Sequence, residues 1–477
     1  MARELRRGLY FLMLFKCIIS KYTMPQHFDI LIIGSGPGGE SVAQNLKDSG
    51  KKIAIVDYLY GGTCALRGCT PKRAMEAVTT TYWHAMQQVD KGFSKPEFVN
   101  WRQLMAHKQR FTAPIPANSK RKFRQMGLTV FNDWVRFTGK HTLVIGEGDR
   151  AETVQADKIV IATGAHPIKL DIPGNEYLYT SADFLDLPEL PESVVFVGGG
   201  YVAFELAHIA AAAGAHVTIL SSDEKPLGHF DPNLVDQLCQ AVWAKGIDLR
   251  LGARATQVTP KADGSFEVTA QSKKGEHDLT INAQLVVNTA GRTPCIEKLD
   301  LDQAGVDFHS KDGISVNSRL KSTTQPHIYA LGDVINKLPF TPVASQEGKV
   351  VAHNLLHDKS KQIDYGPVPF VTFTYPRLAA VGQQESDLKA AGIPYEVQES
   401  SIDDHLLEKA IGNDYAQYRS FIDPETKKVL GFHLLSSHAE EVINLAALLI
   451  GEGITIDRFT DYILAYPTAG QNLQGYV

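Results

Sequence analysis

Cys64 and Cys69 are the residues of this sequence whose type and spacing most directly indicate chemistry. Two thiols five positions apart can interconvert between a disulfide and a dithiol, which stores and releases two electrons. The 477-residue chain has only five cysteines, far too few for the disulfide framework of a secreted domain. In a reducing compartment an isolated close pair is more typical of catalysis than of structure, so the pair predicts redox chemistry at sulfur.

The backbone between the two cysteines must be irregular if they are to form a disulfide. Residues five apart in a regular helix have Cα atoms about 8.6 Å apart, whereas a disulfide requires about 4.4–6.8 Å. Gly68 is the residue that makes such a distortion easy. Thr70 and Pro71 are typical of a helix N-cap and a first helical position. A helix beginning there would bring its positive end close to Cys69 and favour the thiolate form of that side chain.

A dinucleotide-binding turn is predicted shortly before the cysteine pair. The apolar run 29–33 is typical of a strand buried on both faces, and Gly34, Gly36 and Gly39 follow it at G-x-G-x-x-G spacing. In this motif the first glycine makes the turn, the second lets a pyrophosphate approach the backbone, and the third lets a helix pack on the strand. The phosphates then lie at a helix N-terminus, where free N–H groups favour anions. Asp57, at the end of the next apolar run, is placed to accept hydrogen bonds from a ribose.

The same pattern recurs downstream and predicts a second nucleotide site. The apolar run 194–197 precedes Gly198, Gly200 and Ala203 at G-x-G-x-x-A spacing, and a helical pattern and another strand-like run follow. Each bound dinucleotide requires its own pyrophosphate cradle. Two cradles in one chain therefore indicate a flavin enzyme that is reduced by a nicotinamide cofactor.

The choice between NADPH and NADH depends on the residue that ends the second strand of this second site. A carboxylate there would favour NADH by binding both ribose hydroxyls. The sequence instead has Ser221 and Ser222, which do not repel a 2′-phosphate. Lys225 is the only nearby cation, and it is opposed by Asp223 and Glu224. NADPH is the predicted reductant, with NADH as the alternative.

Two short segments further along the chain fit contacts to the flavin. Ala162, Thr163 and Gly164 form a turn after a predicted strand. Gly332 and Asp333 do the same later in the chain, where the aspartate is placed to hydrogen-bond a polyol chain. Taken alone, Asp333 would more simply stabilise a turn or cap a helix. Together with the two nucleotide turns, these segments favour FAD.

These motifs resemble those of the class I pyridine nucleotide–disulfide oxidoreductases, a family that includes glutathione reductase, dihydrolipoamide dehydrogenase and mercuric reductase. The resemblance extends from Phe28 nearly to the C-terminus. The residues that carry it are the turn 34–39, Gly61-Gly62-Thr63-Cys64 with Gly68-Cys69, Ala162-Thr163-Gly164, Gly198-Gly199-Gly200, Gly291-Arg292-Thr293-Pro294 and Gly332-Asp333. The resemblance implies an α/β fold with two Rossmann-like dinucleotide-binding domains plus a C-terminal α+β dimerisation domain, working as a homodimer.

The resemblance also divides the chain into five parts. These are an N-terminal extension (1–23), the first part of an FAD-binding domain (24–165), an NAD(P)-binding domain (166–295), a second FAD-binding and central part (296–365) and a dimerisation domain (366–477). The extension combines three arginines with a short apolar run that Lys16 interrupts, and no small-residue cleavage site follows. We expect a spurious or alternative start before Met24, with an interfacial anchor or a targeting peptide as the alternatives.

The family's chemistry implies roles for residues of this sequence. In the family, hydride passes from NADPH or NADH to the flavin, and electrons reach the disulfide through the cysteine nearer the flavin, which Cys69 matches. Cys64 matches the interchange thiol, which attacks the external disulfide. Lys72 and Glu205 match an ion pair beside the flavin and the nicotinamide.

The predicted cofactor sites combine the motif residues with further family positions. The predicted FAD site consists of Gly34, Gly36, Gly39, Asp57, Gly62, Thr63, Ala162, Thr163, Gly164, Gly332 and Asp333. The predicted NAD(P) site consists of Gly198, Gly200, Ala203, Ser222, Lys225, Gly291 and Arg292. No metal site is predicted.

The C-terminal segment departs from the family pattern. The family places a histidine in a His-Pro-Thr run, supplied by the partner subunit, and a glutamate three residues beyond the threonine orients it. Here Tyr466 replaces the histidine and Gln471 replaces the glutamate. A phenol, with a reference pKa of about 10, donates a proton but is a poor base at neutral pH. Either Tyr466 serves as a weaker acid, water transfers the proton, the natural oxidant needs no such step, or the segment is merely structural.

His433 and His438 lie upstream of this segment. We expect them to be core or interface histidines, and the alternative is that one of them replaces the missing base. Mercuric reductase is disfavoured, because the C-terminus lacks the extra cysteine pair of that subgroup.

The predicted function is that of an FAD-dependent NAD(P)H:disulfide oxidoreductase resembling glutathione reductase, with a small disulfide as substrate. One alternative is a flavoenzyme whose acceptor is a quinone, a metal ion or oxygen. Another is a non-enzymatic flavin redox sensor, which the intact second nucleotide motif disfavours. The net charge of -5 and the lack of a basic cluster argue against nucleic acid as a partner. No apolar run is long enough to predict a membrane span, and we expect a cytoplasmic enzyme.

Overall fold

A computed structural model of the chain describes residues 25–273 and 278–477, which form two compact units. Among the described residues, the first unit comprises 25–62, 116–165 and 293–363. The second unit comprises residues 63–115, 166–292 and 364–477. The predicted extension over residues 1–23 lies outside the described residues, and the five-part division into domains stays a prediction.

The first unit is organised around a seven-stranded sheet that is parallel at its centre. Strand Gln26–Ile33 pairs in parallel with Ile53–Val56 on one side and with Glu152–Ile161 on the other. The remaining strands of this sheet are Thr129–Phe131, Val135–Phe137, Thr142–Ile145 and Ile328–Ala330. The predicted apolar runs form the central strands because nearly all of their side chains are buried, as expected for strands covered on both faces.

The register of this sheet brings three predicted site segments to one edge. The last residue of the central strand lies opposite the last residues of both neighbouring strands. Gly34, Asp57 and Ala162 follow these three strands, so they lie together at the carboxyl edge. This is the edge at which open α/β sheets bind their ligands.

Two helices of the first unit pack against each other, Pro37–Leu46 and Thr341–Leu356. The first of them starts directly after the Gly34 turn, as the motif predicts. The other helical segments of the unit are Ile115–Gln125, Leu301–Ala304 and the 3-10 turns Gly148–Arg150 and Gly332–Ile335. Two short strands, Phe308–His309 and Gly313–Ile314, form a hairpin.

The second unit contains a five-stranded parallel sheet. In sheet order its strands are Asp248–Arg250, His216–Leu220, Ser193–Val197, Leu285–Asn288 and Tyr179–Thr180. Helix Tyr201–Ala212 follows the middle strand, and helix Pro232–Ala244 follows later. This succession of strand, turn, helix and strand is the one predicted for a second Rossmann-like domain.

Further elements of the second unit accompany this sheet. An antiparallel sheet consists of Ala253–Pro260, Phe266–Ser272 and Leu279–Ala283. The helical segments are Gly62–Arg67, which begins at the unit boundary, Cys69–Gln87, Trp101–Thr112, Ser181–Leu185 and the 3-10 turn Asn175–Tyr177. The short strands Ala165–Pro167 and Arg292–Pro294 span positions at which the two units divide.

The C-terminal part of the second unit is an antiparallel sheet with helices, which confirms the predicted α+β domain. In sheet order its strands are Phe370–Thr372, Arg377–Gly382, Val429–Ser436, Gln417–Ile422 and Glu396–Ser401. Helix Ala439–Gly451 packs on the central strands through buried apolar residues. The other helices are Glu385–Ala391, Leu406–Ile411, Ile456–Thr460, Ala469–Asn472 and the 3-10 turn Leu473–Gly475. Among the described residues, no helix combines the length and the apolar character that crossing a membrane requires.

Candidate functional site

The two cysteines lie in consecutive helices that a single glycine separates. Cys64 lies in the short helix Gly62–Arg67, and Cys69 is the first residue of the next helix. Gly68 has φ -141° and ψ -110°, outside the helical region. A Cβ at this glycine would lie 3.2 Å from the carbonyl oxygen of Thr63, so a larger residue would be crowded. The predicted irregular backbone between the cysteines is confirmed; the first is half-buried and the second is exposed.

The start of helix Cys69–Gln87 differs from the prediction. The prediction that Thr70 is the N-cap and Pro71 the first helical residue is wrong, because Gly68 occupies the N-cap position. Proline fits anywhere in a first helical turn, since the N–H groups of that turn have no partner within the helix. Its presence therefore does not define the first residue. Cys69 lies inside the first turn, at the positive end of the helix, rather than just before it.

The structure brings Lys72 and Glu205 together as an ion pair. Lys72 Nζ lies 3.0 Å from Glu205 Oε1, and the two side chains are 11% and 4% exposed. The lysine lies in the first turns of helix Cys69–Gln87, and the glutamate lies in helix Tyr201–Ala212. Buried ion pairs need further hydrogen bonds to offset the loss of hydration. Glu205 Oε1 accepts one from the backbone N–H of Phe373, at 2.8 Å.

The ring of Phe373 also contacts this ion pair. Lys72 Nζ lies 4.1 Å from the ring centroid, and Arg73 Cζ lies 4.2 Å from it. Both distances are within the roughly 6 Å over which an aromatic face attracts a cation. Phe373 is half-buried. Its ring contacts Lys72, and its backbone N–H donates to Glu205.

A chain of charged side chains continues along the same helix. Arg73 pairs with Glu76, whose Oε1 lies 2.9 Å from Arg377 Nη2. Arg377 Nε in turn lies 2.8 Å from Glu440 Oε1. Burial raises the pKa of Glu440, and the neighbouring Arg377 charge opposes that rise. Burial, with a contribution from Arg377, lowers the pKa of His84 further along the helix. Buried ion pairs thus join the helix of Cys69 to the C-terminal sheet of the same unit.

The first glycine turn has the backbone geometry of a nucleotide cradle. Gly34 has φ +103°, and a Cβ there would lie 2.3 Å from the carbonyl oxygen of Ala162. Gly62 has φ +68°, and a Cβ there would lie 2.6 Å from Gly36 Cα. A Cβ at Gly39 would meet the carbonyl oxygen of Gly34 at 2.0 Å. Only glycine fits these positions, and the resulting bare backbone at a helix N-terminus suits the pyrophosphate of FAD.

Asp57 is held in a defined orientation beside this turn. Its Oδ2 accepts hydrogen bonds from the backbone N–H and the hydroxyl of Ser35, both at 2.7 Å. Its Oδ1 accepts a third from the backbone N–H of Leu59, at 3.0 Å. The Ser35 hydroxyl oxygen also accepts from the N–H of Gly61, at 3.0 Å. The half-buried carboxylate is thus positioned before any ribose binds.

The segment 162–164 lies next to the same turn. The N–H of Ala162 donates to the carbonyl of Ile33 at 2.7 Å. The Thr163 hydroxyl donates to the carbonyl of Cys295 at 2.8 Å. Gly164 has φ +73°, and a Cβ there would meet no atom within 4 Å. The segment therefore lies beside the Gly34 turn at the carboxyl edge of the sheet.

The second predicted flavin segment, Gly332 and Asp333, is held by a hydrogen bond to Glu347, a residue outside every predicted motif. The N–H of Gly332 donates to Glu347 Oε2 at 2.6 Å, and that glutamate is 1% exposed in helix Thr341–Leu356. Asp333 follows at the start of a 3-10 turn and is half-buried. The carboxylate of Glu347 therefore positions the backbone from which Asp333 projects.

The second glycine turn repeats the first one in the second unit. Gly198 has φ +130°, and a Cβ there would lie 2.4 Å from the carbonyl oxygen of Thr289. Gly200 occupies the N-cap position of helix Tyr201–Ala212, and a Cβ there would meet no atom within 4 Å. Ala203 is fully buried in that helix. The turn fits a second pyrophosphate above an open helix N-terminus.

Gly291 and Arg292 lie on the same edge of the second unit's sheet. They follow strand Leu285–Asn288, whose last residue lies opposite the last residue of Ser193–Val197. Gly291 is exposed with φ +136°, and Arg292 is half-buried. The register therefore places both residues near Gly198.

The residues that would contact a nicotinamide 2′-phosphate differ in exposure. Ser221 is fully buried, and a Cβ on Gly199 would lie 2.2 Å from its Oγ. Ser222 is exposed. Lys225 Nζ lies 3.1 Å from Asp236 Oδ2, so its charge is partly balanced. The exposed serine is therefore the better placed of the two to meet a ligand.

The C-terminal segment that departs from the family pattern lies at the surface of the described chain. Tyr466 is 78% exposed. The hydroxyl of Thr468 caps helix Ala469–Asn472 by accepting the N–H of Gln471 at 3.2 Å. His433 is 1% exposed and burial lowers its pKa, which agrees with the expected core histidine. His438 is half-buried before helix Ala439–Gly451.

Three residues of the site were not found from the sequence. Ser35 lies inside the first motif, and its hydroxyl beside Asp57 is a signal that could have been used. Glu347 and Phe373 belong to no motif, and only the fold brings them to their partners. Within residues 25–273 and 278–477, no group of three or more His, Cys, Asp or Glu side chains could hold a metal ion.

Two family models match this chain. Residues 28–348 match the family described as pyridine nucleotide-disulphide oxidoreductase. Residues 368–475 match the pyridine nucleotide-disulphide oxidoreductase dimerisation domain. The two matches together extend over nearly all of the described chain.

Similar proteins are found among curated sequences and solved structures. The soluble pyridine nucleotide transhydrogenase of Vibrio cholerae serotype O1 is 28% identical over 462 residues, which are 93% of this chain and 96% of that protein. The protein of the same description from Vibrio atlanticus is 28% identical over 461 residues, with the same coverage. The Cu(II) complex of the flavoprotein disulfide reductase RclA from Escherichia coli has a TM-score of 0.85 at 24% identity, covering 95% of this chain and 99% of that one. This structural likeness shows a shared fold.

Proposed function

The chain belongs to the pyridine nucleotide-disulphide oxidoreductase family, and we propose that it reduces a small disulfide, of the glutathione type, with electrons from NADPH. It is an oxidoreductase that uses FAD and a pyridine nucleotide. When bound, FAD supplies the acceptor for a hydride and the donor of an electron pair to sulfur. The match to the dimerisation domain supports a homodimer.

The observation that carries the disulfide proposal is the break between the two cysteine helices. A regular helix would keep Cys64 and Cys69 too far apart for a disulfide, and Gly68 interrupts it. The first cysteine is half-buried and the second begins a 19-residue helix. A segment built in this way supports a pair that opens and closes as a disulfide.

The proposed sulfur chemistry takes two steps. The Cys64 thiolate attacks one sulfur of the external disulfide, forms a mixed disulfide and expels the first product thiolate. Cys69 then attacks the sulfur of Cys64, restores the internal disulfide and expels the second product thiolate. The two protons that the cysteine thiols lose are the two that the products gain, so the reaction needs a carrier for them. We propose that Tyr466 or water carries these protons, since no histidine occupies position 466.

The Lys72–Glu205 pair supports the same assignment. Its fixed ammonium is a positive charge held near the start of the helix that carries Cys69. We propose that this charge favours the reduced cofactor, as the family resemblance implies. For the nicotinamide, the neutral Ser222 supports NADPH because it does not repel a 2′-phosphate.

Electron counting tests the disulfide proposal. Anaerobic titration of the purified protein should consume four electrons per chain, two for the flavin and two for the disulfide. The C64S/C69S double variant is the matched control and should consume only two. Turnover of oxidised glutathione with NADPH should release two thiols per NADPH. A wild-type protein that takes up only two electrons, like the double variant, would contradict the proposal.

A second candidate function is hydride transfer from one pyridine nucleotide to another. The curated relatives are described as soluble pyridine nucleotide transhydrogenases. The exposed Tyr466 in place of a base favours this candidate, because such transfer requires no acid or base for a leaving thiolate. NADPH-dependent reduction of thio-NAD would then survive in the C64S/C69S variant while glutathione turnover is absent. A panel that adds quinones, metal ions and oxygen separates the remaining acceptors.

A further inference from the structure

We propose that Phe373 is a positioning residue for the Lys72–Glu205 ion pair, with its ring holding the ammonium and its backbone N–H holding the carboxylate. The geometry of this contact belongs to the chain itself. Only its consequence for the flavin rests on the proposed function.

The carboxylate side of the contact is a shared oxygen. Glu205 Oε1 accepts a hydrogen bond from Lys72 Nζ at 3.0 Å and another from the backbone N–H of Phe373 at 2.8 Å. Two donors on one buried oxygen define its position far better than a single contact does. Because the N–H belongs to the main chain, this half of the contact survives a change of the side chain at 373 to any residue except proline.

The ammonium side of the contact is the aromatic ring. A lysine ammonium is a compact charge on a flexible four-carbon stem, so one carboxylate oxygen leaves it several orientations. The ring of Phe373, 4.1 Å from Lys72 Nζ, supplies a second attraction through its negative face. Together the ring and the carboxylate hold the charge in one place.

The ring is itself held by a second cation. Arg73 Cζ lies 4.2 Å from the centroid of Phe373, and Arg73 pairs with Glu76. Glu76 is buried and also binds Arg377, which lies at the start of strand Arg377–Gly382. The ring therefore connects the lysine to a buried charge network rather than to a mobile side chain.

The first test measures how accessible the Lys72 amine is. Reaction with acetic anhydride, followed by peptide mass spectrometry of the purified flavin-loaded protein, gives a labelling rate for this residue. The F373L variant keeps the N–H and removes the aromatic face, so Lys72 should label roughly threefold to tenfold faster. F373Y keeps the face and should restore the wild-type rate. F370L is the matched control, because Phe370 is also half-buried and lies three residues earlier.

The second test measures the midpoint potential of the bound flavin. A lysine that is no longer held in place stabilises the added negative charge less, so F373L should lower the potential. A tenfold change in the two-electron equilibrium corresponds to about 30 mV. F370L and F373Y should both stay at the wild-type potential.

Equal Lys72 labelling in F373L and F370L would overturn the positioning role, whatever the electron acceptor is. If F373L does not fold, F373Y and R73M remain informative. R73M leaves the ring unsupported and should increase Lys72 labelling, whereas an unchanged rate would count against the proposal. The proposed function fails separately, through a wild-type uptake of only two electrons, and that result leaves the labelling test intact.

Discussion

The two glycine turns of this molecule share a backbone and differ in the residues around it. Gly34 and Gly198 both have positive φ, and at both a Cβ would collide with a carbonyl oxygen of a neighbouring segment. Their N–H groups donate to the last residue of the next strand at 2.9 and 2.8 Å. The same backbone turn is therefore built twice, and at each turn it would let a pyrophosphate approach the backbone closely.

The two turns differ at the third position of the motif and at the residue that follows the next strand. A Cβ at Gly39 would meet a carbonyl oxygen at 2.0 Å, whereas the equivalent position in the second turn accommodates the buried Ala203. The strand end of the first turn carries Asp57, which three hydrogen bonds orient, while that of the second carries Ser221. These differences fit the prediction of FAD at the first turn and a nicotinamide cofactor at the second.

The largest effect should come from adding a methyl group to either turn. Gly34→Ala combines a strained φ with a steric clash, which costs at least about 3 kcal/mol. It should yield protein without flavin, as judged by absorbance at 450 nm. Gly198→Ala should keep its flavin but lose reduction by NADPH, measured by stopped flow. Gly50→Ala is the control, because it has φ +71° with open space around it. Loss of flavin in both turn variants would remove the distinction between the sites.

Asp57, which follows strand Ile53–Val56 beside the first turn, provides the next test. Asp57→Asn keeps the shape but removes the charge that would receive the ribose hydroxyls. The dissociation constant of FAD should rise roughly tenfold to a hundredfold, the range for hydrogen bonds to a charged group. Fluorescence titration of the flavin-free protein measures it, and Asp157→Asn, at an exposed position in the same unit, is the control. Equal affinities in the two variants would show that Asp57 does not contact the cofactor.

The central strands and the two turns could be predicted because their signals are local. The apolar run that ends at Asp57 forms strand Ile53–Val56, since four consecutive apolar residues between polar flanks favour full burial. The turns follow from glycines whose spacing has one geometric explanation. The start of the Cys69 helix was misplaced because Pro71 is compatible with every position of a first turn.

The contacts that complete the site could not be predicted in this way. Phe373 donates to a carboxylate 168 residues earlier in the chain, and no spacing rule connects them. Glu347 reaches Gly332 only because helix Thr341–Leu356 packs where it does. Such contacts depend on the packed fold, which a single sequence does not specify residue by residue.

A carboxylate one residue beyond Ser221, the counterpart of Asp57, should disfavour NADPH at the second turn. Ser222→Asp should lower the ratio of kcat/KM for NADPH to that for NADH at least about tenfold, because the new charge repels a 2′-phosphate. Steady-state rates with both nicotinamides give the ratio, and Ser222→Ala is the control that changes size without charge. A ratio that does not move in Ser222→Asp would place the 2′-phosphate elsewhere.

The smallest effect concerns the helices that follow the two turns. Helix Pro37–Leu46 buries only apolar residues and glycines, whereas helix Tyr201–Ala212 also buries His208. Burial, with a smaller contribution from the Lys245 charge, lowers the pKa of His208 to about 3. Unfolded histidine has a pKa of about 6.5, so the unfolded chain binds the extra proton first. Stability is therefore fully present above pH 6.5 and falls as the pH drops toward 3.

Between pH 8 and pH 6 this single group should remove about 1 kcal/mol of stability from the second unit. Urea unfolding followed by tryptophan fluorescence at the two pH values measures the loss. His208→Gln should reduce it, because no group at this position then titrates, whereas the exposed His27→Gln should leave it unchanged. If both variants lose the same stability as the wild type on acidification, the acid sensitivity does not come from the helix of the second turn.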